Sequence, residues 1–321
     1  MAYTMMFYNL ENLYDTIEDP SVNDNEFTPV GEKRWSLERY NQKLDNLSEV
    51  FAAVSNAYGG FPVIVGVSEV ENINVMRALA ARKRLSGSHY KCLHYDSQDA
   101  RGIDVGVLYR SDKFKLVGSE PVKLVLRSGR EYIGRNLLAM WGEIDGEMFA
   151  FFVTHLPSRV GGKGADLRSG GARIIYQQAR ALMRIYKGIK IVVMGDMNDD
   201  PTDESMSKWL HGKEYIDDME ALDFFNPYTS MLKAGFGSLC YQGVWSIYDQ
   251  ELVNYNLANA PEGTLRIQPI GKNGYYGYIF KRPFMTTQKG QYKGYPFRTF
   301  SGGAFIGGYS DHYPTFIVVG K

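Results

Sequence analysis

The sequence predicts an α/β fold in which strands pack in sheets and helices cover the outer faces. Short apolar runs rich in Val, Ile, Phe and Tyr, bounded by Gly, Pro or polar residues, recur along all 321 residues and are typical of strands. Between them lie segments with apolar residues at steps of three and four, which is typical of helices. Their mixed order indicates layered sheets and helices. No low-complexity linker or short-period repeat interrupts the chain, so we expect a single domain over residues 1–321.

The predicted strands follow the apolar runs in chain order: Tyr3–Asn9, Pro62–Glu69, Ile103–Tyr109, Asn136–Trp141, Met148–Thr154, Lys190–Asp196, Tyr248–Val253, Tyr275–Phe280 and Thr315–Val319. Two long helices are predicted by apolar faces, one formed by Leu37, Tyr40, Leu44, Leu47, Phe51 and Val54, the other by Ile175, Ala179, Leu182 and Tyr186. Shorter helices are expected after Asn72 and after Pro201, the second capped by Asp199 or Asp200. The Gly-rich segments 159–171 and 271–308 are predicted to be long loops that carry embedded strands.

Composition narrows the class of protein without choosing a substrate. Thirty-six acidic residues balance 36 basic ones, so no global field attracts the protein to nucleic acid or to a membrane. The two cysteines, Cys92 and Cys240, exclude a disulfide scaffold but leave one bridge open. No apolar stretch is long enough to span a membrane, and no signal-peptide pattern precedes the first strand. We therefore expect a soluble monomer without stable membrane insertion, either cytoplasmic or secreted after removal of a leader.

Polar residues that suit catalysis fall where predicted strands end. Asn9, Glu69, His155 and Asp196 each lie at the end of a strand, and Asp311-His312 directly precedes the last one. Since sheets of this kind gather binding groups outside the strand ends, these side chains are expected to share one cleft. Carboxylate and amide oxygens suit a hard cation such as Mg²⁺ or Mn²⁺. The pattern indicates metal-assisted hydrolysis.

Each of these motifs has a structural interpretation as well. Asp196-Met197-Asn198 is also typical of an Asx turn that caps the next helix. It does not begin an EF-hand loop, because Pro201 stands where glycine is needed. The basic segment 159–168 suits either a phosphate-binding loop or a solvated one, and Lys163 within it is not followed by the Ser or Thr of a Walker A loop.

Taken together, the motifs resemble the endonuclease/exonuclease/phosphatase superfamily, which contains DNase I, abasic-site endonucleases, inositol polyphosphate 5-phosphatases and bacterial sphingomyelinases. The matching segments lie in family order between residues 9 and 314: Asn9-Leu10-Glu11-Asn12-Leu13, Val67-Ser68-Glu69-Val70-Glu71-Asn72, Gly102-Ile103-Asp104-Val105, Thr154-His155-Leu156-Pro157-Ser158-Arg159, Gly195-Asp196-Met197-Asn198-Asp199 and Gly308-Tyr309-Ser310-Asp311-His312-Tyr313-Pro314. The resemblance covers nearly the whole chain. It implies a four-layer α-β-β-α sandwich of the DNase I type, with two mixed β-sheets face to face and helices outside.

The resemblance also implies roles for individual residues. Glu69 would be the principal Mg²⁺ ligand, with Glu11 and Asp311 on or near a metal. Asp196 would orient and deprotonate the attacking water. The remaining residues would contact or stabilise the phosphate: Asn9, Asn198, His155, His312 and, through the basic loop, Arg159.

Members of this family also supply an aspartate that orients the final histidine. Two strands offer a position for it, but one has Gly277 where the aspartate is needed. The other reads Asp249-Gln250-Glu251, so we assign Asp249 to this role although Glu251 replaces the usual apolar residue. An Asp–His pair fixes the imidazole tautomer and raises its affinity for a proton.

The expected function is Mg²⁺-dependent phosphodiester hydrolysis, and a nuclease is the leading hypothesis. The substrate would be nucleic acid or a phosphorylated headgroup. An inositol-phosphate phosphatase or a sphingomyelinase-like phosphodiesterase is the alternative within the same chemistry. A non-catalytic binding protein on the same fold is the alternative from another class.

Overall fold

The computed structural model describes residues 2–125, 131–162 and 164–321. In these ranges the strands are β1 (Ala2–Leu13), β2 (Ile64–Val70), β3 (Tyr90–His94), β4 (Asp104–Arg110), β5 (Phe114–Val122), β6 (Leu137–Ile144), β7 (Glu147–His155), β8 (Lys190–Asp196), β9 (Gly212–Lys213), β10 (Phe224–Phe225), β11 (Leu239–Tyr241), β12 (Val244–Ser246), β13 (Asp249–Asn254), β14 (Arg266–Gln268), β15 (Gly277–Ile279), β16 (Phe300–Ser301), β17 (Ala304–Phe305) and β18 (Thr315–Gly320). The α-helices are α1 (Leu37–Tyr58), α2 (Ile73–Ala80), α3 (Ala165–Ile185), α4 (Thr229–Lys233) and α5 (Tyr255–Ala258), and a π-helical turn spans Ser205–Trp209.

Two mixed seven-stranded sheets contain most of the strands. The first has the order β14-β18-β1-β2-β4-β3, with β15 also paired to β18, and the second has the order β5-β6-β7-β8-β13-β10-β9. In the first sheet β1 and β2 are parallel, and in the second β7 and β8 are parallel. Their other neighbours, such as β18 beside β1 and β13 beside β8, run antiparallel. Each sheet therefore has a parallel pair near its centre.

The two sheets pack face to face, and helices cover their outer faces. Between the sheets, Phe7 of β1 belongs to the same buried cluster as Met194 of β8. On the outside, α1 and α2 cover the first sheet, while α3 covers the second, where Ile175 packs with Val193. Val193 and Met194 face opposite sides because side chains alternate along a strand. The four-layer sandwich implied by the resemblance is confirmed.

Helix α1 shows how local sequence sets an element that matters for the site. Ser36 caps it by accepting a hydrogen bond from the Arg39 N–H, and Gly59 ends it with a φ of 77°. Its buried stripe is apolar except for Ser48 and Lys43, and the Lys43 side chain has no exposure to solvent. Burying an ammonium group is unfavourable unless it is paired, so Lys43 is expected to have a specific partner.

The segment 159–171, predicted to be a loop, is largely helical. Helix α3 begins at Ala165 and includes both Gly170 and Gly171. A Cβ at Gly171 would lie 2.6 Å from Leu156 Cδ2, so this glycine permits the helix to pack closely against the chain after β7. Gly171 therefore serves packing, while a Cβ at Gly170 would meet nothing within 4 Å. Lys163, part of the predicted phosphate loop, lies outside the described residues.

The caps predicted for the helix after Pro201 are also wrong. The helical turn begins at Ser205 rather than at Asp199 or Asp200. Asp199 instead binds Arg168 and Arg159, and the Asp200 carboxylate accepts a hydrogen bond from the Ile247 N–H at 2.8 Å. The cap predicted at Asn72 is confirmed, since its side chain accepts from the N–H groups of Asn74 and Val75.

Two remaining expectations concern the chain as a whole. Cys92 and Cys240 are free, so no bridge joins them. In the described ranges, no helix has the length and apolarity needed to cross a bilayer.

Candidate active site

The strand-end residues of the two sheets meet at one edge of the sandwich. Asn9 of β1 and Asp196 of β8 belong to different sheets, yet Asn9 Nδ2 donates to Asp196 Oδ2 at 3.1 Å. The same amide lies 3.4 Å from Glu69 Oε1 of β2. His155, which ends β7, is paired in register with Asp196. The parallel pairs of both sheets therefore deliver their carboxyl ends to one site.

Backbone irregularities aim several of these side chains. The pairing of β1 with β2 shifts register after Asn9, and that of β2 with β4 shifts at Glu69. Four residues at this edge have left-handed backbone conformations with φ between 49° and 61°: Glu11, Asn12, Glu69 and Asn198. Such conformations are unfavourable for residues other than glycine and cluster at functional sites. The bulges turn Glu69 toward Asn12, whose N–H donates to Glu69 Oε2 at 2.9 Å.

Asp249 and His312 form a buried pair across the two sheets. His312 Nδ1 lies 2.7 Å from Asp249 Oδ2, and the Ser238 hydroxyl donates to the same carboxylate at 2.6 Å. Burial disfavours charge on His312, but the carboxylates of Asp249, Asp196 and Asp311 outweigh it and hold the pKa of the imidazole well above its ordinary value. His312 therefore carries a proton at neutral pH, and its Nε2 lies 3.9 Å from Asp196 Oδ2.

The Asp196 carboxylate lies at the centre of the arrangement. Its Oδ1 accepts from the Asn198 N–H at 3.0 Å, while Oδ2 faces both histidines. Burial raises the pKa of Asp196 to about 7, although the positive charge of His312 opposes the shift. A carboxylate with a pKa near neutrality suits proton transfer at physiological pH.

His155 lies on the other side of Asp196, with Nε2 3.6 Å from Asp196 Oδ2 and 4.0 Å from Glu69 Oε1. Burial, followed by the positive charges of Arg135, Arg101 and His312, holds the pKa of His155 well below its ordinary value. The Arg135 guanidinium donates to the His155 carbonyl at 3.1 Å. The two histidines of the site thus differ in charge.

Metal-binding capacity is strongest around Glu69. Its carboxylate is partly exposed, and it shares the Asn9 amide group as a donor with the carboxylate of Asp196. Hard oxygen donors of this kind fit Mg²⁺ or Mn²⁺ better than zinc. A second group, Asp196, Asp249 and His312, also has potential ligand atoms within 4.8 Å of one another. The short contact between Asp249 and His312 Nδ1 favours an oriented imidazole there rather than a metal.

Glu11 and Asp311, the other predicted metal ligands, lie beside an arginine. Arg298 places Nε 3.3 Å from Glu11 Oε1 and Nη2 3.1 Å from Asp311 Oδ2. Buried Lys43 lies 3.8 Å from Glu11 Oε2. Neither Arg298 nor Lys43 was singled out from the sequence, although Lys43 interrupts the apolar face of α1.

Asn198 and Arg159 hold backbone segments next to the site through hydrogen bonds. The Asn198 side chain donates to the Leu156 carbonyl at 2.9 Å. Arg159 donates to the Asn198 carbonyl, pairs with Asp199 and Asp203, and stacks its guanidinium over the ring of Tyr248. In this arrangement Arg159 holds the turn after β8, and a direct contact with substrate stays a prediction.

A cleft of about 780 Å³ opens beside the site on the side of Glu11, Asn12 and Arg298. Asp196 and His312 do not line it, so it extends away from the acid–base group. Its wall includes aromatic rings and basic side chains that the sequence analysis did not single out: Tyr14, Phe300, Tyr241, Tyr292, Tyr295, Lys33 and Arg101.

Comparison with known families agrees with this geometry. The sequence model of the Endonuclease/Exonuclease/phosphatase family matches residues 4–321. The chain belongs to this family. It is thus a metal-dependent phosphoric ester hydrolase, the class to which the family's enzymes belong. No curated protein sequence matches the chain significantly.

Solved structures share the fold at low sequence identity. TDP2 of D. rerio in complex with a single-strand DNA product has a TM-score of 0.59 and 13% identity, covering 100% of this chain and 99% of that one. A mannosyl-6-phosphatase of Bacteroides thetaiotaomicron has a TM-score of 0.59 and 16% identity, covering 99% and 100%. The catalytic domain of human Nocturnin with a bound sulfate anion has a TM-score of 0.56 and 16% identity, covering 99% and 94%. The DNase I-like fold class is confirmed.

Proposed function

We propose that the protein is a Mg²⁺-dependent phosphodiesterase that acts on nucleic acid. The observation that carries the proposal is the meeting of Asp196 with the Asp249–His312 pair across the two sheets. A carboxylate able to accept a proton and an imidazolium able to stabilise negative charge lie within 4 Å of each other. Such a pair promotes in-line hydrolysis of a phosphate ester by proton transfer and by charge stabilisation.

Asp196, His312 and His155 have separate roles in the proposed reaction. Asp196 removes a proton from the attacking water, and its carboxylate is held for this by the Asn9 amide and the Asn198 N–H. His312 stabilises the charge that develops on the phosphoryl oxygens, because Asp249 keeps its imidazole protonated and oriented. Neutral His155 is placed to contact a second phosphoryl oxygen.

Glu69 is the residue that would hold the metal, since its partly exposed carboxylate faces neutral amide groups rather than cations. A bound divalent cation would neutralise charge on the phosphoryl oxygens and polarise the ester. Carboxylate oxygens such as those of Glu69 support Mg²⁺ as the ion.

The cleft favours nucleic acid over a small phosphorylated headgroup. Tyr241 and Tyr292 are 71% and 50% exposed at its wall, next to the basic side chains of Arg101 and Lys33. Exposed aromatic rings can stack on bases, and basic side chains can follow the phosphate backbone. This combination suits single-stranded or frayed substrates better than an intact duplex.

The test is hydrolysis of bis-p-nitrophenyl phosphate with Mg²⁺ and with EDTA, extended to single-stranded DNA, duplex DNA, RNA, phosphoinositides and sphingomyelin. We expect turnover of the diester that EDTA abolishes and Mg²⁺ restores, with single-stranded nucleic acid preferred. Hydrolysis of p-nitrophenyl phosphate alone, with no diester cleaved, would contradict the proposal.

A pair of matched variants links the activity to the site. Asp196→Asn is expected to lower kcat by about 10²–10⁴-fold, because it removes the proton acceptor. Asp217→Asn makes the same chemical change at an exposed position in the loop before β10 and should leave kcat unaltered. Equal activity of the two variants would mean that Asp196 has been misassigned.

A further inference from the structure

We propose that Arg298 binds a phosphate oxygen of the substrate, and that Glu11 positions Arg298 rather than binding the metal. The inference rests on the proposed phosphodiesterase function. Six charged side chains at the candidate active site form a line in which negative and positive charges alternate and both ends are buried: Asp249, His312, Asp311, Arg298, Glu11 and Lys43. Each acid in the interior of this line lies between two bases.

The carboxylate of Glu11 is buried and held by partners from the chain on both oxygens. The residue is 5% exposed, and its Oε2 accepts a hydrogen bond from the Thr299 N–H at 2.7 Å. Oε1 faces Arg298 Nε at 3.3 Å. Glu11 thus already has two cationic partners, Arg298 and Lys43, whereas Glu69 accepts from the neutral Asn9 amide and Asn12 N–H. A carboxylate whose charge is already neutralised attracts a metal cation less strongly. Its surroundings therefore match an anchor for the segment at 298–299.

Lys43 explains why this anchor is rigid. Its ammonium group donates to the Thr299 hydroxyl and to the Tyr309 carbonyl, each at 2.6 Å, and lies 3.8 Å from Glu11. The group thus joins α1 to both ends of the segment that precedes His312. Because the buried ammonium is paired and hydrogen-bonded, its position is fixed.

Arg298 itself is not enclosed. Its side chain is 51% exposed and lines the cleft, although Nε and Nη2 are engaged by Glu11 and Asp311. Asp311 Oδ1 lies 3.9 Å from His312 Nε2 on the opposite side of that carboxylate. Arg298 and His312 therefore flank the same carboxylate, and a substrate that extends from His312 into the cleft passes the guanidinium, whose planar group suits phosphate oxygens.

The first experiment measures substrate binding. Arg298→Met should raise both the KM for bis-p-nitrophenyl phosphate and the dissociation constant of inorganic phosphate, measured by calorimetry, by about 10–100-fold, the value of a charge-assisted hydrogen bond. Arg298→Lys should recover part of the loss, since it keeps the charge but not the fork. Arg184→Met, at an exposed position of α3, is the matched control and should change neither constant.

The second experiment separates positioning from metal binding. Calorimetric titration with Mg²⁺ should give the same affinity for Glu11→Gln as for the unaltered protein, within about twofold, whereas Glu69→Gln should lose about tenfold or more. Glu11→Gln should nevertheless weaken phosphate binding, and it should add little in a double variant with Arg298→Met, because the two residues act together.

The outcomes distinguish this inference from the proposed function. An unaltered protein that hydrolyses no phosphate ester contradicts the function, while phosphate calorimetry still tests Arg298. An active protein whose Arg298→Met variant keeps its KM and phosphate affinity overturns the inference alone. Loss of Mg²⁺ affinity in Glu11→Gln, with a circular dichroism spectrum that shows a folded protein, overturns the role assigned to Glu11.

Discussion

His155 and His312 flank the same carboxylate, yet their neighbours give them opposite charge states. Burial lowers the pKa of His155 and nearby cations lower it further. Burial opposes the charge of His312 as well, but three carboxylates around it raise the pKa of this imidazole. The sequence could place both residues at strand ends but could not distinguish them, because the distinction depends on side chains that are distant in sequence.

The Asp249→Asn substitution tests this assignment. The amide would remove the negative charge beside His312 Nδ1, so the pKa of His312 should fall and kcat should decrease by about 10²–10⁴-fold. Since a group with a raised pKa loses its proton at higher pH, the alkaline limb of the pH–rate profile should move to lower pH in the variant. An unchanged limb would show that His312 does not act as a cation.

Some residues of the site were predictable and others were not. Lys43 is three positions after Tyr40 and four before Leu47, so it lies on the apolar stripe of α1, where a lysine needs a partner. That signal was present in the sequence. Arg298 lies in a Gly-rich segment without periodicity, and its contact with Glu11, 287 positions away, exists only in the folded chain.

At the scale of the element, β13 shows what the sequence pattern could not explain. Glu251 stands in the middle of this strand and is completely buried between the two sheets. Its carboxyl group contacts the Tyr228 hydroxyl and accepts from the Thr315 hydroxyl at 3.0 Å. Burial raises the pKa of Glu251 to about 8 despite these hydrogen bonds. A protonated Glu251 could donate to Tyr228, whose hydroxyl lies 3.2 Å from the Phe316 carbonyl.

This pKa shift makes the stability of the protein depend on pH. The folded-state pKa of Glu251 lies above its ordinary value of 4.5. Its contribution to the free energy of unfolding is therefore fully present below about pH 4.5 and is lost as the pH rises to about 8. Glu251→Gln removes the titration. Between pH 5 and pH 8 the free energy of unfolding of the unaltered protein should fall by roughly a few kcal/mol relative to that of Glu251→Gln.

Urea denaturation at a series of pH values measures the effect, with Glu262→Gln at an exposed position as the control. A constant difference between Glu251→Gln and the unaltered protein across this range would mean that Glu251 is already ionised in the fold.

The strand ends near the site and helix α3 both contain features that the sequence did not predict. The first strand was predicted to end at Asn9, but β1 continues to Leu13, whereas β2 ends at Val70, one residue from the predicted end. The left-handed residues there, such as Glu69, were not predicted, because residues other than glycine rarely adopt that conformation. In α3 the glycines were taken as loop signals, although Gly171 serves close packing. Local propensity was overridden by tertiary contacts in both cases.

At the scale of the molecule, the close approach of the two sheets depends on small residues near the site. Gly66 of β2 faces the second sheet, and a Cβ there would lie 2.6 Å from Met194 Sδ and 3.2 Å from Val153 Cγ1. Because side chains of both strands fill the interface, there is little room for an added methyl group. The spacing of the sheets also sets the distance between Asn9 and Asp196.

Gly66→Ala should therefore lower the free energy of unfolding by about 1–3 kcal/mol, the usual effect of overpacking a core. Gly87→Ala adds the same methyl group where nothing lies within 4 Å, and it should have little effect. Urea denaturation of both variants provides the comparison. Equal stabilities would show that the sheets can separate slightly without loss.

The position of β18 in the first sheet has a consequence for synthesis of the protein. This C-terminal strand inserts between β14 and β1, and His312 immediately precedes it. Until the ribosome has released these residues, β1 has an unpaired edge toward solvent, a state that favours association with other exposed strands. Pairing of β18 with β1 protects this edge, and the same strand brings His312 to Asp249. Protection of the sheet edge and assembly of the Asp249–His312 pair therefore depend on one strand.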